Sequence, residues 1–159
     1  MKILAIDPGY ERLGIAIIEK VPRGKEILLY SDCFKTSSKL PHSERLKLIL
    51  EEIKKVIALH SPERLAIETL FFSNNQKTAL LVAEARGTII ATGAAAGLEV
   101  FEFNPNSIKL AVTGSGSSDK DQMIKMIPLL VKIEKEIKHD DEYDAIACGL
   151  TYFAENPVK

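Results

Sequence analysis

The chain has 159 residues, enough to bury a substantial core within one domain. Hydrophobic residues make up 46% and charged residues 27%, which is typical of a globular protein, and no apolar stretch is long enough to cross a bilayer. The 21 lysines and arginines nearly balance the 22 aspartates and glutamates, which excludes a strongly basic nucleic-acid coat but not a local basic face.

The first part of the chain predicts three strands and a helix. Short apolar runs bounded by turn residues indicate strands at 2–7, 13–20 and 25–36, which form a β-meander. Apolar residues then recur at helical spacing over 43–59. The first strand runs from four apolar residues straight into Asp7, and Pro-Gly follows at once, so a segment suited to burial ends in a carboxylate.

The rest of the chain alternates strands with helices. The patterns predict strands at 64–68 and 98–103, and helices at 76–96, 106–114, 119–137 and 141–155. Pro128 is expected to kink or break the helix at 119–137. The order predicts an α/β fold with a mixed five-stranded sheet, a three-stranded antiparallel meander plus two parallel strands, flanked by helices in a single domain.

The amino terminus and the cysteines indicate a cytoplasmic protein. The segment MKILAIDPG has no basic stretch followed by a long apolar core, so a signal peptide is not expected. Cys33 and Cys148 lie far apart in apolar runs and match no metal-binding spacing. Two buried thiols are the expectation, and a disulfide is the alternative.

Four carboxylates fall at positions where the predicted fold could bring them together. Asp7 and Glu68 each end an apolar strand, and the carboxyl ends of parallel strands meet at one sheet edge. Asp141 and Asp144 lie about one turn apart on the last helix. Carboxylate oxygens are the preferred ligands of Mg²⁺ and Mn²⁺, and paired ions assist phosphoryl displacement. The alternatives are that Asp7 only closes a turn and that Asp141 only caps a helix.

Four motifs resemble those of the RuvC-type Holliday junction resolvases. They are IDPG at 6–9, AIE followed by FF at 66–72, ARG at 85–87 and DEYDAIA at 141–147. The resemblance covers nearly the whole chain in order. It implies an RNase H-like fold, a homodimer and Mg²⁺-dependent nicking of two strands in a four-way DNA junction. It also implies action beside the branch-migration proteins RuvA and RuvB in bacterial recombination.

The resemblance carries the family's catalytic acids onto four positions of this chain. They are Asp7, Glu68, Asp141 and Asp144, which would also hold the metal, Mg²⁺ or in its place Mn²⁺. The alignment through DAIA fixes Asp144 well. His139 or Asp140 could take the place of Asp141 if the preceding turn differs from the family pattern.

The resemblance also assigns contacts with DNA. Phe71 matches an aromatic residue implied to stack on unpaired bases, with Phe72 expected to pack inward. Lys109 and Lys120 match basic residues implied to hold phosphate, although either could be an ordinary solvated lysine.

Three other functions remain open from the sequence. The first is an RNase H-like nuclease that acts on another nucleic acid, and the second is a non-catalytic junction-binding protein. The third is a fragment of an actin-like ATPase, for which 159 residues leave little room because it needs a second lobe.

Overall fold

A computed structural model describes residues 1–70 and 76–156 of the chain. Within these residues the strands are β1 (Lys2–Asp7), β2 (Arg12–Glu19), β3 (Glu26–Lys35), β4 (Arg64–Glu68), β5 (Glu99–Phe103) and β6 (Val131–Lys132). The helices are α1 (His42–His60), α2 (Gln76–Ala95), α3 (Pro105–Thr113), α4 (Lys120–Leu130) and α5 (Asp140–Glu155). The elements expected from the sequence are present, most of them within one or two residues of the expected bounds.

The strands form one mixed sheet in the order β5-β4-β1-β2-β3-β6. The meander is antiparallel from β1 through β3, and β4 lies parallel to both β1 and β5. In the pairing of β1 with β4, Ile6 lies opposite Ile67. Asp7 and Glu68 follow these two residues directly, so both carboxylates emerge at the same edge of the sheet, as the sequence predicts.

The core lies in two layers, one on each face of the sheet. Side chains alternate between the faces along each strand. Ile3 and Ala5 belong to the cluster that includes residues of α3, α4 and α5, whereas Leu4 and Ile6 belong to the cluster that includes residues of α1 and α2. Asp7 is in phase with Ile3 and Ala5 and therefore faces the layer that contains α5.

Two glycines allow α5 to lie close against β1 and β2. A Cβ atom added at Gly149 would lie 2.7 Å from Cδ1 of Ile18 and 3.0 Å from Cβ of Ala5. A Cβ atom added at Gly14 would lie 2.0 Å from the backbone oxygen of Asp141. Any side chain at either position would push the helix away from the sheet. The two close approaches therefore fix the height of α5 above the strand that carries Asp7.

The expected helix at 119–137 is wrong beyond Leu130, and the sheet has six strands instead of five. Pro128 cannot donate a backbone hydrogen bond to the preceding turn, and α4 ends two residues later. Val131 is fully buried and begins β6, which pairs in parallel with β3. The segment KIEKEIK at 132–138, most of which falls within the expected helix, is not helical.

The structure also describes both cysteines and the length and polarity of the helices. Cys33 and Cys148 are both free and buried, as predicted, so the disulfide alternative is excluded. Across the described residues, the helices are too short or too polar to cross a lipid bilayer.

Candidate active site

Three other acids act electrostatically on the carboxyl of Asp7. Burial raises its pKa well above the ordinary value of an aspartate, and the charges of Asp144, Glu68 and Asp141 raise it further, in that order. The charge of Lys120 acts in the opposite direction. All three other acids act on Asp7, so the carboxylates that the sequence singled out lie within electrostatic range of this residue.

Glu68, at the end of β4, has a similar environment. Burial raises the pKa of its carboxyl to about 7, and the negative charge of Asp144 adds to the shift. The charges of Lys109 and Lys120 lower it in part. A carboxyl with a pKa near 7 gains much from a nearby cation, since the cation favours its ionised form.

Two acids of α5, Asp141 and Asp144, are each paired with a cationic side chain. Nζ of Lys120 donates to Oδ2 of Asp144 at 2.8 Å, and it opposes the burial that raises the pKa of Asp144. The guanidinium of Arg12 donates to Oδ2 of Asp141. The thiol of Cys33 lies 3.6 Å from the same oxygen. Arg12 and Lys120 thus each offset the charge of one of the four acids.

The four carboxylates suit a hard divalent cation by their chemistry. Their donors are all oxygen, as Mg²⁺ and Mn²⁺ prefer. Burial chiefly, and the neighbouring acids in addition, raise the pKa values of Asp7, Glu68 and Asp144, so a bound cation would favour their ionised forms. Within 1–70 and 76–156, no three potential ligands already stand close enough to hold an ion. A metal ion that binds Asp141 or Asp144 would compete with the cation already paired with that acid.

A cleft of about 200 Å³ opens beside the acids. Its polar lining includes Glu68, Asp144, Lys109 and Lys120. Its apolar lining consists of Pro105, Ile108, Met123 and Ala147. The cleft lies between α3, α4 and α5, and Asn104 and Asp119 cap the first two of these helices. Both cations assigned to phosphate binding therefore border the same opening as two of the acids.

The remaining candidate residues lie in different places. Nε2 of His139 lies 3.5 Å from Nζ of Lys35. Asp140 is exposed and lies 3.6 Å from Lys120. Asp141 acts on the pKa of Asp7, whereas Asp140 acts on that of Asp144. Phe71 and Phe72 lie outside the described residues.

Several residues at the site were not found from the sequence. Arg12 gave no signal, because its pairing with Asp141 joins residues 129 positions apart. Gly14 gave none because its close approach to α5 depends on helix packing. Glu142 was visible only as an extra acid in the run at 140–142. The structure shows that it is buried and held by its own partners.

Comparison with solved structures defines the class of protein. Thermus thermophilus RuvC in complex with a Holliday junction substrate has a TM-score of 0.91 at 28% identity, covering 98% of this chain and 94% of that chain. The yeast mitochondrial Holliday junction resolvase Ydc2 has a TM-score of 0.73 over 96% of this chain and 78% of that one. At 13% identity, Ydc2 shows a likeness of fold alone. The fold is that of RNase H-like resolvases.

Comparison of sequences then defines the family. The family described as crossover junction endodeoxyribonuclease RuvC matches residues 3–152. The protein of that name from Thermosipho melanesiensis is 40% identical over 148 residues, covering 92% of this chain and 93% of that protein. The one from Halothermothrix orenii is 37% identical over 152 residues, covering 96% and 92%. This chain belongs to the RuvC family.

Proposed function

We propose that this protein is a structure-selective endodeoxyribonuclease that resolves Holliday junctions in DNA recombination and repair. It would do so by paired, metal-dependent nicks in two opposed strands. The observation that carries the proposal is the family match over nearly the whole chain, together with the electrostatic coupling of Asp7 to three other acids.

The acids at this edge would hold the metal and carry the catalysis. They are Asp7, Glu68, Asp141 and Asp144. Mg²⁺ is the expected ion, and Mn²⁺ would substitute for it because both accept oxygen ligands. When bound, such ions stabilise charge at a phosphodiester and activate water for hydrolysis. The protein's own task is to keep the four carboxylates in place beside the scissile phosphate.

Contacts with DNA would come from the rim of the cleft and from the loop after Glu68. Lys109 and Lys120 border the cleft and are suited to phosphate. Phe71, in that loop, would stack on unpaired bases near the crossover. Lys120 would leave Asp144 when metal binds, which frees its ammonium group for the substrate.

The partners follow from the symmetry of the substrate. A four-way junction is nearly two-fold symmetric, so a homodimer would place one active site on each of two strands. Part of α2 would form the dimer contact. It exposes Leu80, and a Cβ atom added at its Gly87 would meet no atom within 4 Å. We place the enzyme in the cytoplasm, where it would act with RuvA and RuvB.

The deciding experiment uses three labelled substrates: a mobile four-way junction, a linear duplex and an RNA–DNA hybrid. Each is incubated with Mg²⁺ or with EDTA, and Asp7→Asn is run alongside. We expect paired symmetric nicks in the junction alone, lost with EDTA and in the variant. Asp7→Asn should still bind the junction, because binding rests on phosphate contacts elsewhere.

Other outcomes would redirect or reject the proposal. Cleavage of the hybrid or the duplex in preference to the junction would indicate an RNase H-like nuclease with another substrate. Junction binding without cleavage, also with Mn²⁺ and across several junction sequences, would indicate a binding protein. Normal cleavage by Asp7→Asn would show that the acid group is not the catalytic site.

A further inference from the structure

Glu142 is a buried carboxylate next to the site that takes no part in the group of four acids. Its side chain is 3% exposed. Its Oε2 accepts hydrogen bonds from Oγ of Ser31 at 2.6 Å and from Nζ of Lys135 at 2.9 Å. Its Oε1 accepts from the backbone N–H groups of Lys138 at 3.1 Å and His139 at 3.3 Å. Both oxygens are therefore fully engaged by the protein itself.

The three consecutive acids at the start of α5 have three different environments. Asp140 is 65% exposed and lies on the rim near Lys120. Asp141 belongs to the acid group and pairs with Arg12. Glu142 points into the protein. The direction of Glu142 fixes the rotation of the helix about its axis, so it also fixes where Asp141 and Asp144 point.

Lys135 extends the contacts of Glu142 to the sheet. Its Nζ also donates to the backbone oxygen of Ser31 at 2.6 Å and to the Oγ of Ser31 at 3.0 Å. Ser31, Lys135 and Glu142, here called the anchor cluster, thus join β3, the segment 133–139 and the first turn of α5. The pair joins a buried carboxylate to a lysine that is 41% exposed, and displacement of the lysine would leave the buried charge of Glu142 uncompensated.

The anchor cluster acts on the part of α5 that carries the catalytic acids. Asp141 directly precedes Glu142, and Asp144 lies two positions after it. On the other side, the backbone of Asp141 touches β2 at Gly14. The start of the helix is therefore held between two strands, by a close backbone contact and by a set of charged hydrogen bonds.

We propose that Glu142 is a positioning residue, and that the anchor cluster holds Asp141 and Asp144 in the geometry that metal binding requires. The inference rests on the proposed metal-binding role of these two acids. Glu142 touches neither metal nor DNA in this proposal. Groups that orient metal ligands typically change metal affinity 10- to 100-fold when altered.

The test measures metal affinity without DNA and, separately, the kinetics of junction cleavage. Free Mn²⁺ is counted by electron paramagnetic resonance in titrations of full-length Glu142→Gln, Lys135→Met, Ser31→Ala and wild type. We expect Glu142→Gln to weaken Mn²⁺ binding about 10-fold or more. We expect kcat with Mg²⁺ to fall while KM for the junction stays within about twofold. A residue that only stabilised the fold would leave both quantities unchanged in the folded protein.

Two further variants make the experiment specific. Glu134→Gln alters an exposed acid of the same segment that pairs with Lys132 at 2.6 Å, and it should behave as wild type. The double variant Lys135→Met, Glu142→Gln should be no worse than Glu142→Gln alone, because residues that act as one unit are not additive. All assays are run where circular dichroism shows each variant folded. If Glu142→Gln does not fold, Ser31→Ala and Lys135→Met decide, since each removes one donor.

Asp141→Asn separates failure of the inference from failure of the proposed function. If Asp141→Asn weakens Mn²⁺ binding but the anchor variants bind Mn²⁺ and cleave like wild type, the anchor proposal is overturned. If Asp141→Asn also binds Mn²⁺ like wild type, the proposed metal site itself is wrong. Loss of stability in the anchor variants, with unchanged affinity and rate, would assign the cluster a role in folding alone.

Discussion

At the scale of single residues, the free protein keeps carboxylates in an environment that disfavours their charge. Burial and the neighbouring acids raise the pKa of Asp7 well above its ordinary range. Burial likewise raises that of Glu68 to about 7. Such an arrangement costs stability whenever these groups ionise. The same arrangement favours a cation, because binding a cation removes the repulsion.

Asp7→Asn should therefore stabilise the metal-free protein at alkaline pH. A folded-state pKa above the unfolded value stabilises the fold below the unfolded pKa, and this contribution is lost as pH rises through the folded pKa. For Glu68, this stabilising contribution is lost between about pH 4.5 and pH 7. Thermal unfolding in EDTA at pH 8 should show a Tm a few degrees above wild type, since about 1 kcal/mol corresponds to roughly 2–4 °C in a chain of this size.

The pH dependence of the Tm difference provides a control for the effect of Asp7→Asn. The gain in Tm should shrink towards pH 4, where the wild-type carboxyls are protonated. Added Mg²⁺ should raise the Tm of wild type more than that of the variant. A variant less stable than wild type at pH 8 in EDTA would contradict the assigned pKa direction.

Arg12 illustrates a different residue-scale effect, competition between a side chain and a metal ion. Its guanidinium pairs with Asp141, so a metal ion that binds this carboxylate competes with it. Arg12→Ala should therefore tighten Mn²⁺ binding in the absence of DNA, by about two- to fivefold because exposed ion pairs are weak. Isothermal titration measures the affinity. Arg64→Ala, which removes an ion pair with Glu99 instead, should leave it unchanged. Weaker Mn²⁺ binding by Arg12→Ala would show that Arg12 supports the site.

At the scale of elements, the sequence predicted the strands that carry the acids and failed at the connection before α5. Apolar runs that end in Asp7 and Glu68 were enough to place both acids at one edge, because parallel strands align their carboxyl ends. The strand at 131–132 was missed because two residues have no measurable periodicity. The helical pattern in the sequence extends past Pro128 to residue 137. In the structure Val131 is buried against the sheet, and this packing ends the helix earlier.

The side-chain pairings at the site could not be predicted from the sequence, and the reason is the same for each. Arg12 with Asp141, and Lys135 with Ser31 and Glu142, join segments that meet only when α5 packs on the sheet. Local pattern reports propensity and periodicity, whereas these contacts depend on tertiary placement. The position of α5 is therefore the element-level property on which the site depends.

Gly14→Ala tests that dependence. The new Cβ would lie 2.0 Å from the backbone oxygen of Asp141, and a backbone atom cannot rotate away as a side-chain tip can. The first turn of α5 must then move. We expect cleavage to fall about 100-fold, the effect of a displacement of about 1 Å. Far-UV circular dichroism and junction affinity in EDTA should stay close to wild type. Wild-type cleavage by Gly14→Ala would show that the site tolerates a shifted helix.

At the scale of the whole molecule, a nearly neutral chain has to bind a strongly charged polymer. The formal net charge is −1, and four of the acids form the group at which we propose that the phosphate binds. Lys109, Lys120 and Arg12 act on these acids or pair with them. Attraction to DNA therefore depends on where the cations lie, and a bound divalent ion would add to it.

The salt dependence of junction binding measures this local attraction. Each phosphate contact contributes about 0.9 to the slope of log K against log salt, because binding releases counterions. If Lys109 contacts phosphate, Lys109→Ala should weaken binding and reduce the slope by about that amount in EDTA. Lys47→Ala, in α1 on the opposite face of the sheet, should change neither quantity. An unchanged slope for Lys109→Ala would mean that its charge acts on Glu68 within the protein and that the DNA lies elsewhere on the surface.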